Sequence, residues 1–268
     1  MCFSAIIQRE KALIERNYQA CTDVEAFEKF HTLSEQSPKL FKPIDKNEKI
    51  FSGYYAPVIT MKNAQRVIIP MRYGVHPQDN ARFPGTEITY NARSDNLHSR
   101  FWQNAFMINH GLVIIKGFYE WVEVRSLIRS GKVSLDEIIA LFQQQSEKRK
   151  AQILKAGKKY APTKTETAPA IDRKIIIRFM PENRDELVVP VIYNYSLQPE
   201  KSPFPGFAII TGEPNPEIQN AGHNRMPVCL SHETFEEWLK PEKHTPQSAA
   251  KLLQNPAKEY FNVFIENE

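Results

Sequence analysis

Short apolar runs separated by turn-forming residues constrain the fold of this chain more than any other feature of its sequence. Such runs are typical of β-strands, and they occur both before and after the middle of the chain. The runs are Lys49–Phe51, Val67–Ile69, Leu112–Ile115, Lys174–Phe179, Leu187–Ile192 and Phe207–Thr211. Strands outnumber the helices between them, so the sequence predicts one α+β domain with a mostly antiparallel sheet. The prolines between the first runs are interpreted as breaks; they are Pro57, Pro70, Pro77 and Pro84.

Helical patterning flanks these runs. Residues 8–20 are rich in helix formers, and Thr22 with Glu25 matches a capping box that would begin a second helix. A last helix is predicted to begin at Ser231. The helices are therefore expected at the periphery of the sheet.

The segment 125–173 reads as a helical insertion with a basic tail. Ser134 and Glu137 match a capping box, and Ile138, Leu141 and Phe142 follow at helical spacing. Residues 147–174 hold nine basic and three acidic side chains, whereas the whole chain carries a net charge of only +4. A basic block can follow a phosphate backbone, but we favour a solvated helix and loop whose apolar face packs onto the domain.

The composition excludes several classes of protein. The 268 residues are 41% hydrophobic and 25% charged, and no apolar run approaches the roughly 20 residues of a membrane helix. The first residues lack a signal-peptide pattern, and cysteines at 2, 21 and 229 match no zinc spacing. We expect a cytoplasmic protein with no membrane partner, metal or cofactor, in which Cys21 and Cys229 are small core residues.

Cys2 carries the most distinctive chemistry that the sequence offers. Removal of Met1 would leave a free α-amine and a thiol on adjacent carbons. Their reference pKa values of roughly 8 leave useful fractions of neutral amine and thiolate near neutral pH. Such a pair can condense with an aldehyde to an imine and then close a five-membered thiazolidine, or it can act as an N-terminal nucleophile. An incidental cysteine at this position is an equally valid reading of the sequence alone.

Three further places hold side chains suited to chemistry. Glu120 follows an apolar run and lies between aromatic residues, where desolvation would raise its pKa for acid–base work. His223 belongs to a loop and would titrate near neutrality. Asn91 and Arg93 point to one face of an extended segment and could clamp a phosphate or a carbonyl group. Taken singly, each is also an ordinary polar residue.

Taken together, these residues follow the pattern of a known family. Its segments appear in order as Cys2, Asn91-Ala92-Arg93-Ser94, Gly117-Phe118-Tyr119-Glu120-Trp121 and His223-Asn224-Arg225-Met226-Pro227. Met71-Arg72-Tyr73-Gly74 is similar to the family's R-W-G segment. The chain resembles the SRAP family, the SOS response-associated peptidase domain, from residue 1 to about 240 with 125–173 inserted.

The resemblance implies a barrel-like β core and a function in DNA damage. Members recognise abasic sites in single-stranded DNA and form a thiazolidine cross-link through the N-terminal cysteine. Cys2 would be the nucleophile, Asn91 would hold the terminus or the sugar, and Glu120 with His223 would open the deoxyribose and transfer protons. The resemblance places four residues in contact with DNA: Arg72, Tyr73, Arg93 and Arg225. It also implies a monomer that associates with the nucleoid when bound to DNA.

The chain departs from the family pattern at two places. Many members begin Met-Cys-Gly-Arg, whereas Phe3 and Ser4 stand here, and Tyr73 replaces the tryptophan of R-W-G. A tyrosine offers a smaller surface for stacking on a base. Two other functions fit the same residues. One is a thiol peptidase, acting on other chains or only on itself, that uses Cys2, Glu120 and His223, and the other is a non-catalytic module that binds single-stranded DNA.

Overall fold

The computed structural model describes residues 4–75, 88–131, 133–195, 203–254 and 256–266. Within those ranges the chain forms one twelve-stranded sheet with helices around it. This is the mixed α+β architecture that the sequence predicts, and the strand pairs are mostly antiparallel.

The described strands and helices alternate irregularly along the chain. The strands are β1 (Ser4–Ile7), β2 (Cys21–Thr22), β3 (Lys49–Ile50), β4 (Tyr55–Lys62), β5 (Gln65–Tyr73), β6 (Asn91–Arg93), β7 (His110–Glu123), β8 (Lys174–Pro181), β9 (Leu187–Asn194), β10 (Gly206–Gly212), β11 (Met226–Pro227) and β12 (Phe261–Ile265). The helices are α1 (Lys11–Tyr18), α2 (Val24–Gln36), α3 (Gln103–Ile108), α4 (Val124–Arg129), α5 (Leu135–Lys155), α6 (Lys164–Thr167), α7 (Pro216–Asn220), α8 (His232–Trp238) and α9 (Pro246–Gln254). Every predicted strand run lies in or overlaps one of these strands, and α8 begins directly after Ser231, which caps it.

Five strands close a ring, in the order β4, β7, β9, β10 and β5, with β5 pairing β4 again. The ring is not a clean barrel, because further strands extend from it. The long strand β7 is its hub: it pairs β9 over residues 110–115 and β8 over residues 118–123. Strand β1 pairs the middle of β7, with Ser4 opposite Tyr119. The N-terminal strand therefore lies beside the second half of β7.

Two of the prolines interpreted as breaks lie inside strands instead. Pro57 in β4 and Pro70 in β5 stand opposite each other in the antiparallel pair. Neither position is in register with a strand on its other side, because β4 meets β7 at Ile59 and β5 meets β10 at Arg72. A proline is tolerated where the strand lacks a second partner for its missing N–H group. Pro77 and Pro84 lie outside the described residues.

The region around residue 22 also differs from the prediction. Thr22 belongs to the short strand β2, and Asp23 caps helix α2 by accepting a hydrogen bond from the Ala26 N–H group at 3.0 Å. The prediction that Cys21 is a core residue is wrong, since Cys21 is exposed on β2, whereas Cys229 is buried as predicted. Among the described strands β2 pairs only β5, so it lies at an edge of the sheet with one side open.

The insertion has the predicted helix and the predicted packing. The capping box of Ser134 and Glu137 is present at the start of α5. Ile138 is fully buried, and Leu141 and Phe142 pack against the same core. The basic end of α5 is held by its own return segment, where Arg149 contacts the Glu166 carboxylate at 2.5 Å. No helix among the described residues has the length and apolarity needed to cross a membrane.

Candidate active site

Glu120 projects from the central strand into the protein interior. It belongs to β7, opposite Ile177 of β8, and only 1% of its surface is exposed. Burial raises the pKa of the Glu120 carboxyl above its ordinary value, and the neighbouring His223 opposes that rise. The pattern around Glu120 alone favours an ordinary strand-end carboxylate, and that interpretation is wrong, because the structure buries the side chain.

His223 reaches Glu120 from the loop that follows α7. The loop turns at Gly222, whose φ of +88° lies in the left-handed region, and a Cβ atom there would come within 2.2 Å of the Ser126 Cβ atom in α4. Only glycine meets both conditions without strain. The His223 N–H group then donates to the Ile218 carbonyl at 3.1 Å. Helix α4, where the insertion begins, thus supports the histidine loop.

The two side chains meet directly. The Nε2 atom of His223 lies 3.2 Å from the Oε2 atom of Glu120, and both side chains are largely buried. The Nδ1 atom of His223 lies 2.8 Å from the Arg225 carbonyl oxygen, which can only accept a hydrogen bond. We therefore assign a proton to Nδ1, although the Arg225 N–H group also points at this atom from 3.4 Å. With Nδ1 protonated, Nε2 shares one proton with Glu120, and the pair can give or take it.

Asn91 and Arg93 lie on β6, which runs parallel to β10, with Arg93 in register with Thr211. Asn91 is buried, whereas the Arg93 side chain is 57% exposed. Arg93 donates two hydrogen bonds to the Asp95 carboxylate, from Nε at 3.0 Å and from Nη2 at 2.6 Å. The exposed guanidinium is accessible to a solvent-borne anion.

Arg225 approaches the same carboxylate from the histidine loop. Its Nη2 atom donates to the Thr211 carbonyl at 2.6 Å and lies 3.6 Å from the Asp95 Oδ1 atom. Burial lowers the pKa of the Arg225 guanidinium below its ordinary value, and Asp95 opposes that shift. Asp95 and Arg225 also line a cavity of about 750 Å³, so an open space adjoins these two side chains.

The other two residues expected to contact DNA lie elsewhere in the fold. Arg72 is half-buried on β5 beside Gly206, at the opposite end of β10 from Thr211. Five residues of strand separate those ends by about 16 Å. The Tyr73 ring is fully buried and stacks on Phe207 at 5.2 Å between ring centroids. This packing disagrees with the prediction that Tyr73 stacks on a base.

Cys2 and Phe3 lie outside the described residues. Within the described part of the chain, no three His, Cys, Asp or Glu side chains cluster as metal ligands would. Sequence reasoning did not assign roles to Asp95 or Gly222. The signal for Asp95 was its place two residues after Arg93, and the signal for Gly222 was a glycine directly before the histidine.

A ring of strands carries a buried glutamate on its central strand β7, a loop histidine pairs with that glutamate, and two arginines lie at an adjoining edge. Such an arrangement can exchange a proton and can hold an anion. Comparison with known proteins gives the family. The chain belongs to the SRAP family, described as SOS response associated peptidase, whose model matches residues 1–265. The match runs beyond residue 240, where the sequence-based resemblance ended.

Two curated relatives match part of the chain. The chain is 35% identical over 81 residues to the abasic site processing protein YoqW of Bacillus subtilis, and equally to that of Bacillus phage SPbeta. That match covers 30% of this chain and 36% of each relative.

Solved structures share the fold over nearly the whole chain. A Bacteroides thetaiotaomicron protein has a TM-score of 0.61 at 18% identity, covering 98% of this chain and 91% of the other. A Bordetella bronchiseptica protein has a TM-score of 0.57 at 15% identity, covering 99% of both chains. At such identities the likeness establishes the architecture alone.

Proposed function

We propose that this protein binds single-stranded DNA and links itself covalently to abasic sites through Cys2, as part of the response to DNA damage. The observation that carries the proposal is the pairing of Ser4 with Tyr119. Ser4 is two residues from Cys2, and two residues of chain span at most about 7 Å. Tyr119 precedes Glu120, so the pairing supports the proposal that the N-terminal amine and thiol act together with the buried acid–base pair.

The printed name of the YoqW relatives supports the choice of substrate. An abasic site is a deoxyribose without its base, and it exists mainly as a closed hemiacetal with a small fraction of open aldehyde. Because the chain matches only 36% of the length of those relatives, their function is extended to this chain as a proposal. The buried Glu120–His223 pair supplies the proton donor that ring opening needs.

The proposed reaction proceeds in balanced steps. The pair protonates the ring oxygen O4′, the C1′–O4′ bond breaks, and the C1′ hydroxyl returns a proton to the pair, which gives the aldehyde and restores the proton count. The Cys2 amine adds to that aldehyde, and the resulting carbinolamine loses one water to form an imine. The Cys2 sulfur then adds to the imine carbon, its proton moves to nitrogen, and the thiazolidine closes. Nothing is oxidised or reduced, and one water leaves overall.

The remaining predicted residues would position the substrate. The exposed Arg93 guanidinium and the partly buried Arg225 guanidinium both face Asp95 at the edge of β10, where they could hold backbone phosphates. Asn91 is buried two residues before Arg93 on the same strand, which suits a contact with the terminus or the sugar. Such contacts with the backbone bind one strand without reading its bases.

Denaturing electrophoresis tests the proposal. Purified protein is incubated with an oligonucleotide that contains one abasic site and, as a control, with the same oligonucleotide undamaged. We expect a slower band that survives denaturation with the abasic strand only, and its loss in Cys2→Ser. Salt-sensitive binding without a denaturation-stable band would instead identify a non-catalytic DNA-binding module.

The family's description also names a peptidase, and the same geometry could serve one. His223 is largely buried against Glu120 and could act as the base for a cysteine nucleophile. A peptidase acting on other proteins has no need of a free N-terminal amine, whereas imine formation requires it. Acetylating the N-terminus therefore distinguishes the two activities: it abolishes the DNA adduct and spares peptide cleavage.

A further inference from the structure

Asp95 lies between the two arginines that the proposed function assigns to DNA. Arg93 holds both carboxylate oxygens, at 3.0 and 2.6 Å, and Arg225 lies 3.6 Å from one of them. A carboxylate held by a bidentate guanidinium presents oxygens in the same way as a phosphate does. The Asp95 carboxylate lies between the two guanidinium groups.

The contact of Asp95 with Arg93 is one that an incoming anion can displace. The Asp95 side chain is 54% exposed and the Arg93 side chain 57% exposed. Exposed ion pairs stabilise a fold only slightly, so opening this one costs little. The adjoining cavity of about 750 Å³ gives a strand room to approach Asp95 and Arg225.

Arg225 is expected to gain more binding energy from a close anion than Arg93 does. Its side chain is only 11% exposed, and its nearest carboxylate oxygen among the described residues stands at 3.6 Å rather than at hydrogen-bonding distance. A partly buried cation gains more from a close anion than an exposed one does, because water screens the interaction less. A phosphate that reached both guanidinium groups would give Arg225 a closer anion than Asp95 does.

We propose that Asp95 occupies the position of a DNA phosphate in the free protein and competes with that phosphate for Arg93 and Arg225. Asp95 thereby lowers the affinity for any DNA backbone and restricts stable binding to strands that the covalent site can capture. This inference rests on the proposed function, because it assumes that the two arginines bind DNA. It assigns to Asp95 a negative contribution to binding, which a residue that merely orients Arg93 would not make.

The test compares Asp95→Asn with a matched control, Asp172→Asn. Asp172 forms a similar exposed pair with Arg125, at 2.7 Å and with side-chain exposures of 54% for the arginine and 49% for the aspartate. Affinity for an undamaged single-stranded oligonucleotide is measured by fluorescence anisotropy at several salt concentrations. Thermal unfolding of each variant shows whether it is folded.

We expect Asp95→Asn to bind about 3- to 10-fold more tightly than wild type, since a like charge about 4 Å from the phosphate is removed. Asp172→Asn should change the affinity less than 2-fold, because Asp172 pairs with Arg125, which the proposal does not place in contact with DNA. Unchanged or weaker binding by folded Asp95→Asn would overturn the inference and leave Asp95 as an orienting residue for Arg93. A wild-type protein that neither binds nor cross-links DNA would overturn the proposed function, and the inference with it.

Discussion

The Nε2 atom of His223 lies 3.2 Å from the Oε2 atom of Glu120, and its Nδ1 atom donates to the Arg225 carbonyl at 2.8 Å. With the proton assigned to Nδ1 by this backbone acceptor, Nε2 and Glu120 share one proton that the pair can give or take. Arg225 contributes its carbonyl to the histidine and its guanidinium to the edge of β10. One residue therefore connects the proton-transfer pair with the surface proposed to bind DNA.

Replacing Glu120 should slow the chemistry more than it weakens binding. Glu120→Gln keeps the shape of the side chain but cannot exchange a proton with His223. We expect adduct formation to slow by about 100- to 10,000-fold, which is typical of lost acid–base catalysis, while DNA affinity changes less than 3-fold. Glu123→Gln, at the exposed end of the same strand, is the control. Equal rates for Glu120→Gln and wild type would remove Glu120 from the mechanism.

The same substitution should stabilise the fold at higher pH. Because burial raises the pKa of Glu120, the folded state favours the protonated carboxyl more than the unfolded state does. Wild-type stability contributed by this group is therefore present below the unfolded pKa and is lost as the pH rises through the higher folded value. The glutamine side chain of Glu120→Gln does not titrate. The difference between the thermal unfolding midpoints of the variant and the wild type should therefore shift in favour of the variant as the pH rises from 4 to 8. A constant difference across that range would contradict the assigned shift.

Gly222 is expected to position His223 through close contact with α4. In Gly222→Ala the new Cβ atom would come within 2.2 Å of the Ser126 Cβ atom, so the loop must move. We expect adduct formation to fall at least 10-fold, because a displaced His223 loses its contact with Glu120. The rate of adduct formation and the thermal unfolding midpoint are measured together.

Gly53 provides a control that distinguishes the effect of a close contact from the effect of a positive φ angle. Gly53 has nearly the same φ, +90°, but a Cβ atom there meets nothing within 4 Å. Gly53→Ala should cost about 1 kcal/mol of stability and leave the adduct rate unchanged. The double variant Gly222→Ala with Ser126→Gly removes the clash and should recover part of the rate. If it recovered none while remaining folded, the contact with α4 would not be the cause.

The basic tail of the insertion should be dispensable for folding and for cross-linking. Ser146 lies close to the return segment, with its Oγ atom 3.3 Å from Glu166 Oε1, so a deletion of residues 147–164 can be closed locally. The buried Ile138 and the α4 contact with Gly222 are retained. We expect equal adduct rates, and a salt slope of DNA affinity that is unchanged if the tail is a solvated face. Each lost phosphate contact would instead lower the slope by about 0.7.

The periodicity of the sequence predicted the strands and the insertion helix well, because apolar runs and capping boxes are local signals. It failed at Pro57 and Pro70, which lie inside strands at positions where no second described strand is in register. That condition depends on strand order, which no local pattern contains. The same limitation explains Cys21, because its place on an edge strand that pairs only β5 among the described strands depends on strand order as well.

For the candidate site too, the sequence could predict residue identities but not the contacts between distant residues. Glu120 and His223 could be nominated by residue type and by the family pattern, but their contact depends on how the loop after α7 folds against β7. Tyr73 was misjudged because an aromatic residue in a motif looks the same whether it faces a base or the core, where Phe207 and Tyr90 enclose it. The sequence could not predict that Asp95 lies beside Arg225, because the two residues are far apart in the sequence and come together only in the fold.

The intact mass of the cross-linked complex tests the central claim most directly. The purified protein is reacted with an oligonucleotide that carries one abasic site, and the adduct is weighed by mass spectrometry under denaturing conditions. The account predicts a protein that begins at Cys2, joined to the oligonucleotide with the loss of one water, and no adduct when an extra residue precedes Cys2. An adduct of equal yield in which Met1 is retained would contradict thiazolidine formation at the N-terminus.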